Sequence, residues 1–445
     1  MRCGAARAIG YLGRQVERHE APMEGRDRSG SRAPGFGQEG ISMKRTPADW
    51  LIRFYAAPLL LSLAVLSCQA ENSQAGALAA QVRDSAGIRI LENPRPPDGS
   101  RVGWRIGPEP EVSIEERDDE EPYLLSRVTG AMRLPDGRIV VANGGTNELR
   151  YFDALGTHLS TRGGNGEGPG EFQNLQGIRS WPGDSIAAWY GFRAAVSVFD
   201  SEGNHGRSFT MADHGETRGF LWRPMATTGD GRVLVRWSRE EEDTVMVQFR
   251  DGEGQVHSSL GTHEGLEPYI SPDGRLFGKV FERARVLELW GSLVVIGTTS
   301  RYELKAFTHD GTLARVVRLD HEPRPVTDSD VDAYISGIPP MPGQSPQQLR
   351  RQFRSVPVAE HFPAFNSIIA DGAGHLWVRE YDFHDEERPA PLWTVFDVQG
   401  QVLGLVETPK DLEIYEIGED YILGKYRDEL GVESVQLWPL DRLRG

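Results

Sequence analysis

Residues 135–156 read PDGRIVVANGGTNELRYFDALG, and this stretch decides the fold. A Pro-Asp-Gly turn leads into a short run of apolar, β-branched residues. A Gly-Gly-Thr-Asn break follows, then a second short strand ending on Tyr151-Phe152, and Asp153 to Gly156 turn the chain again. Residues that supply positive φ or side-chain hydrogen bonds to their own backbone alternate here with strand formers. That is the pattern of antiparallel hairpins rather than of a helix.

Both halves of the unit recur. The first returns as PGDSIAAWY (182–190), GDGRVLVRW (229–237), WGSLVVIGT (290–298), GAGHLWVRE (372–380) and IGEDYILGK (417–425). The second, an aromatic followed by a turn ending in Gly, appears as FDALG (152–156), FDSEG (199–203), FRDGEG (249–254), FTHDG (307–311) and FDVQG (396–400). The aromatic recurs at spacings of 47, 50, 58 and 89 residues. A self-similar unit of about 40–50 residues with four short strands is one blade of a β-propeller, so six first phrases predict six blades. The fifth second phrase comes late because residues 320–362 intervene. A sixth is missing, so the last blade must borrow its outer strand. The segment 102–114, with VGWRI and EVSI, is the expected donor, pairing with 432–440 to close the ring and remove the open edge. The turns account for the composition: 51 of 445 residues are Gly.

The segments GGNGEGPGEF (163–172), DSAGIRILENPRP (84–96) and GHLWVRE (374–380) resemble those of bacterial six-bladed β-propeller proteins related to NHL repeats. The resemblance spans roughly residues 84–440. It implies an all-β, six-bladed propeller in a secreted or lipid-anchored protein, and it leaves the activity open, because this fold hosts unrelated functions.

The segment before the repeats reads as targeting sequence. Residues 1–42, with seven Arg and no Lys, read as a disordered or mis-started extension. Met43 opens a signal peptide over 43–67: Lys44, Arg45 and Arg53 form a basic n-region, and FYAAPLLLSLAVL (54–66) is an apolar stretch too short for a span of about 20 residues. Ser67-Cys68 follows, and Val65-Leu66-Ser67-Cys68 resembles the lipobox of bacterial lipoproteins. That resemblance implies lipidation of Cys68, and Gln69 after it implies an outer-membrane address; the alternative is simple secretion into the periplasm. Residues 68–83 read as a linker and 84–445 as the propeller. From Cys68 onward the chain holds 39 Lys+Arg against 59 Asp+Glu, a net charge of −20. That acidity argues against nucleic-acid binding, which needs a basic footprint. Membrane association is expected only through the lipid anchor.

Chain reversal sorts the loops. The turns of the two phrases fall on one face of the disc, and the longer connections fall on the other, where binding usually sits. Those longer connections carry Trp189, Tyr190, Arg193, Arg236, Trp237, Arg301, Tyr302, Arg379, Tyr381, His384, Tyr426 and Arg427. Arg forks bind carboxylates and phosphates, and aromatic faces stack on sugars or cations. These residues are therefore the candidate rim for an anionic peptide, a glycan fragment or an envelope protein. The competing reading is that they cap blade ends and pair with Glu240, Glu241, Glu242, Asp382 and Asp428. Residues 320–362 are the largest elaboration. Asp328-Ser329-Asp330 start a short helix through Ile335, and Ser345-Pro346 start another with Ser at the N-cap and Pro at the first turn.

No cofactor is expected. The Gly-rich run 163–170 leads into a strand, whereas a phosphate loop needs a helix opening at its end. The histidines are scattered singly, with no metal-ligand spacing, and no G-x-S-x-G elbow occurs. The acidic run 115–121 lacks the order of a calcium loop. The sequence thus points to a binding scaffold of the cell envelope. A propeller hydrolase or lyase with a site at the channel mouth is the alternative, and a structural partner in an envelope complex is the third reading.

Overall fold

In the computed structural model, the described residues are 79–442, apart from 118–119, 192–193, 212–219, 240–241, 273, 275, 339–344 and 384–389. Cys68, the signal peptide, Arg193 and His384 lie outside them.

The repeats form six antiparallel sheets arranged as the blades of a propeller. The inner strands are Val128–Arg133, Leu175–Trp181, Phe220–Thr227, Arg285–Trp290, Phe365–Ala370 and Leu412–Ile417. In blades one to five each sheet continues outward in chain order to His158–Gly163, His205–Thr210, Val256–Glu264, Leu313–Leu319 and Val402–Glu407. The core lies between blades. Phe172, Leu175 and Phe199 of blade two pack on Met132, Leu149 and Tyr151 of blade one. Equivalent apolar clusters fill the other interblade spaces. Each sheet thereby buries both faces, which is why the middle strands are continuous apolar runs such as Ile139–Asn143.

The turn of the second phrase does two jobs. The Asp153 carboxylate accepts the backbone N–H groups of Leu155 (2.9 Å) and Thr157 (2.7 Å), and Asp200, Asp251 and Asp397 repeat the arrangement. The closing Gly then meets the preceding blade. A Cβ on Gly254 (φ +82°) would lie 2.0 Å from the Thr210 carbonyl oxygen, so only glycine fits there.

The ring closes as expected, with more of the N-terminal segment engaged. Glu433–Arg442 of blade six pairs antiparallel with both Val112–Ile114 and Trp104–Ile106. The same segment also reaches two blades further. Ile88–Asn93 adds in parallel to the outer strand of blade four, with Leu91 opposite Val317, and Gln81–Ser85 folds back on it. That hairpin begins inside the stretch read as linker. Between these anchors, Asn93 donates to the carbonyl oxygens of Arg318 (3.1 Å) and Gly400 (3.0 Å) and accepts from Val402 N–H (2.9 Å). The N-terminal segment is therefore a strap over blades four, five and six.

Residues 320–362 form a cap on the long-loop face. Helix α1 (Asp328–Gly337) runs two residues beyond Ile335, and its N-cap is Thr327 rather than one of Asp328-Ser329-Asp330, with Asp330 completing a capping box. Helix α2 (Pro346–Phe353) has Ser345 at its N-cap and Pro at the first turn, as expected. The cap also recruits a hairpin the sequence did not suggest, Pro268–Ile270 with Leu276–Gly278. Phe277, Phe281, Ile335, Phe353 and Phe362 make its core, with Tyr381 and Phe383 against it.

Candidate ligand site in the central channel

The inner strands leave a central cavity of about 420 Å³. Antiparallel pairing fixes which inner-strand residues share a level. Met132, Arg179, Ala226, Glu288, Ile369 and Glu416 lie opposite Val140, Ala187, Leu234, Val295, Trp377 and Leu423, an apolar residue near the start of the neighbouring strand in every blade. Blades two, four and six thus supply Arg, Glu and Glu at one level, and blades one, three and five supply Met, Ala and Ile. All of these except Ala226 line the cavity.

The three charged members are held apart. Arg179 donates Nη1 to its neighbour's carbonyl oxygen, Ile178 O, at 2.9 Å, and its guanidinium lies 5.6 Å from the Trp189 ring centre. Among the described residues it has no ion pair with either carboxylate. Among the described residues Glu288 has no ion pair, and the field of Arg179 and the nearby Ala370 N–H favour its charged form. Burial dominates and pushes its carboxyl up to about 7. Glu416 accepts the Arg133 N–H at 3.1 Å and the Tyr421 hydroxyl, and burial raises it as well, against Tyr421, Arg133 and Arg179. Taking ions out of water costs several kcal/mol unless partners compensate. An uncollapsed Arg and two carboxylates around an open cavity therefore make an arrangement with polar capacity to spare. The other cavity guanidinium groups have acidic partners: Arg133 stacks on Tyr421 and lies 3.7 Å from Asp420, and Arg379 donates Nη2 to Asp382 at 2.8 Å while its buried Nε has no hydrogen-bond partner.

The expected rim residues are dispersed by the structure. Trp189 and Tyr302 are buried between blades, and the Tyr302 hydroxyl donates to Glu380 at 2.7 Å. Tyr190 packs edge-on to Phe172, and Trp237 lies against Trp222 at 5.5 Å between ring centres. Arg236 donates Nε to the Met225 sulfur at 3.4 Å. Tyr381 joins the cap, Tyr426 packs between blades five and six, and Arg427 pairs with Glu433. Arg301 is exposed. Arg379 alone among the described rim residues lines the channel cavity. Arg179, Glu288 and Glu416 were missed by sequence reasoning. They lie just upstream of the first phrases, at a spacing to Ala187, Val295 and Leu423 that is not constant, so no column of the repeat joins them.

The Gly-rich run has an internal occupant. The Glu171 carboxylate accepts the Gly168 N–H at 2.8 Å, and Gly166 and Gly168 leave room for it that a Cβ would fill. Its glycines thus wrap a carboxylate of the loop itself. Among the described residues, no three His, Cys, Asp or Glu side chains come together as metal ligands, and no helix is long and apolar enough to cross a membrane.

No protein-family model matches this sequence, and no curated protein is similar to it. Solved structures with a similar chain path include a protein of Bacteroides fragilis named a putative exported protein (12% identity, TM-score 0.44, covering 79% of this chain and 99% of that one). A DUF4221 member from Bacteroides vulgatus gives 12% identity and a TM-score of 0.44, covering 76% and 98%. A gluconolactonase of Xanthomonas campestris gives 13% identity and 0.38, covering 72% and 88%. The sheet topology of the chain itself carries the fold assignment.

Proposed function

We propose that this propeller is an exported, lipid-anchored binding module of the cell envelope, and that it holds a small ligand bearing an anionic group in its central channel. The observation that carries the reading is Arg179, which lines the cavity and, among the described residues, gives one guanidinium hydrogen bond, to Ile178 O, and forms no ion pair. A cavity of about 420 Å³ is at the small end of ligand sites. It suits a fragment of a peptide or glycan rather than a long chain. The experiment is equilibrium binding of galacturonate, N-acetylmuramyl dipeptide and N-acetylated amino acids to the native chain and to Arg179→Glu and Arg379→Glu. Binding lost on reversal at Arg179 supports the reading, and binding retained in both variants contradicts it. The anchor rests on Val65-Leu66-Ser67-Cys68. Mass spectrometry of the mature N-terminus should find a lipid-modified Cys68, and an unmodified terminus beyond Cys68 would end that part.

A second reading is favoured by Glu288. A carboxyl raised to about 7, with a second raised carboxyl at the same level of the channel, is the equipment of acid–base chemistry. A propeller hydrolase or lyase would lose turnover of ester and lactone substrates in Glu288→Gln while still binding them. The envelope-partner reading has less support, because Tyr334, Phe353 and Phe362 of the cap pack on one another and on Phe281 and Phe383.

A further inference from the structure

The charged level of the channel specifies more about its ligand than an anionic group. A purely anionic molecule would meet Arg179 on blade two but also two carboxylates, Glu288 on blade four and Glu416 on blade six, at that same level. A purely cationic molecule would meet the opposite conflict. A ligand carrying both charges satisfies all three groups at once.

The donor inventory matches such a ligand in detail. A guanidinium presents a planar fork that fits a carboxylate. An ammonium carries three donors and no acceptor, which suits acceptor-only carboxylates. Glu288 lines the cavity, and among the described residues no hydrogen bond of good geometry reaches its carboxylate, so its acceptor capacity is unspent. Glu416 already accepts from Arg133 N–H and the Tyr421 hydroxyl and serves as the supporting charge. Between the charged members, Met132 and Ile369 line the cavity and offer apolar contact.

We infer that the channel binds a small zwitterion of the α-amino acid or dipeptide class, its carboxylate on Arg179, its ammonium on Glu288 and its apolar side chain against Met132 and Ile369. The inference rests on the channel-binding reading above and narrows it to one chemical class.

The test uses L-leucine, L-methionine and L-alanyl-L-alanine, each with its N-acetylated and C-amidated form, titrated calorimetrically into the native chain. At least one free zwitterion should bind, and blocking either end should weaken it about tenfold or more, the scale of one lost charge-assisted contact. Glu288→Gln should bind the N-acetylated and free forms within about twofold of each other. Arg179→Gln should do the same for the amidated and free forms. Melting curves of both variants, matching the native one in shape, show that the ring is intact. If N-acetylated forms bind as well as free ones and still need Arg179, the zwitterion inference fails and the broader channel reading stands. If no probe binds, this inference fails. The broader reading falls separately, on the result that the anionic probes bind the Arg179→Glu and Arg379→Glu variants as well as the native chain.

Discussion

At the scale of single residues, the account turns on Glu288. Its carboxyl is pushed up to about 7 by burial, so the folded protein holds this proton more tightly than the unfolded chain does. Stability from this group is therefore greatest at low pH. It declines as pH rises from the unfolded value near 4.3, and it is fully lost above the folded value. Glu288→Gln, neutral at every pH, should unfold at higher denaturant than the native chain at pH 8, by about 1–3 kcal/mol. At pH 4 the two should nearly coincide. Urea unfolding at the two values checks this, and a pH-independent difference would contradict it. Such a gain alongside lost binding is the usual trade at functional sites. Gly254 makes a different residue-scale point. Gly254→Ala places a Cβ against the Thr210 carbonyl, whereas Gly183→Ala has a similar φ of +74° with nothing within 4 Å. The second change should cost about 1–2 kcal/mol for left-handed backbone alone. The first should cost clearly more, and equal losses in thermal unfolding would remove the interblade role assigned to this turn.

At the scale of elements, the strap is the structure's main addition to what the sequence suggested. Asn93 is buried and has all three of its strap bonds to blades four and five. Asn93→Leu leaves Val402 N–H without its acceptor, so a loss of about 2–4 kcal/mol is expected, with a midpoint shift in urea as the readout. A variant as stable as the native chain would mean that the strap merely lies on the ring. The blade strands were legible because each carries its own turn chemistry: the Asp and Gly of FDALG or FDSEG act on neighbours two and four residues away. The missing sixth second phrase was informative for the same reason, since blade six takes its outer strands from the N-terminal segment instead. The strap's parallel pairing with blade four has no local turn to announce it, and Leu91 meets Val317 across about half of the chain. Trp189 and Tyr302 misled because aromatic residues at strand ends in this architecture fill the space between blades as readily as they face a ligand.

At the scale of the whole molecule, the fold sets a site that no single repeat contains. Arg179, Glu288 and Glu416 come from alternate blades and meet only because the ring closes. Local pattern could not show them, since each is one charged residue in an otherwise ordinary inner strand. The net charge of the chain is acidic, yet the cavity lining is balanced: Arg133, Arg179 and Arg379 face Glu288, Glu413 and Glu416, with Arg179, Glu288 and Glu416 sharing one level. The most direct measurement of the central claim is a high-resolution crystal structure of the protein isolated from its native cells with no ligand added. The account predicts density in the central cavity, with an acidic group on Arg179 and an amino group on Glu288. Water alone in the cavity, with Arg179 turned into an ion pair with Glu288, would contradict it.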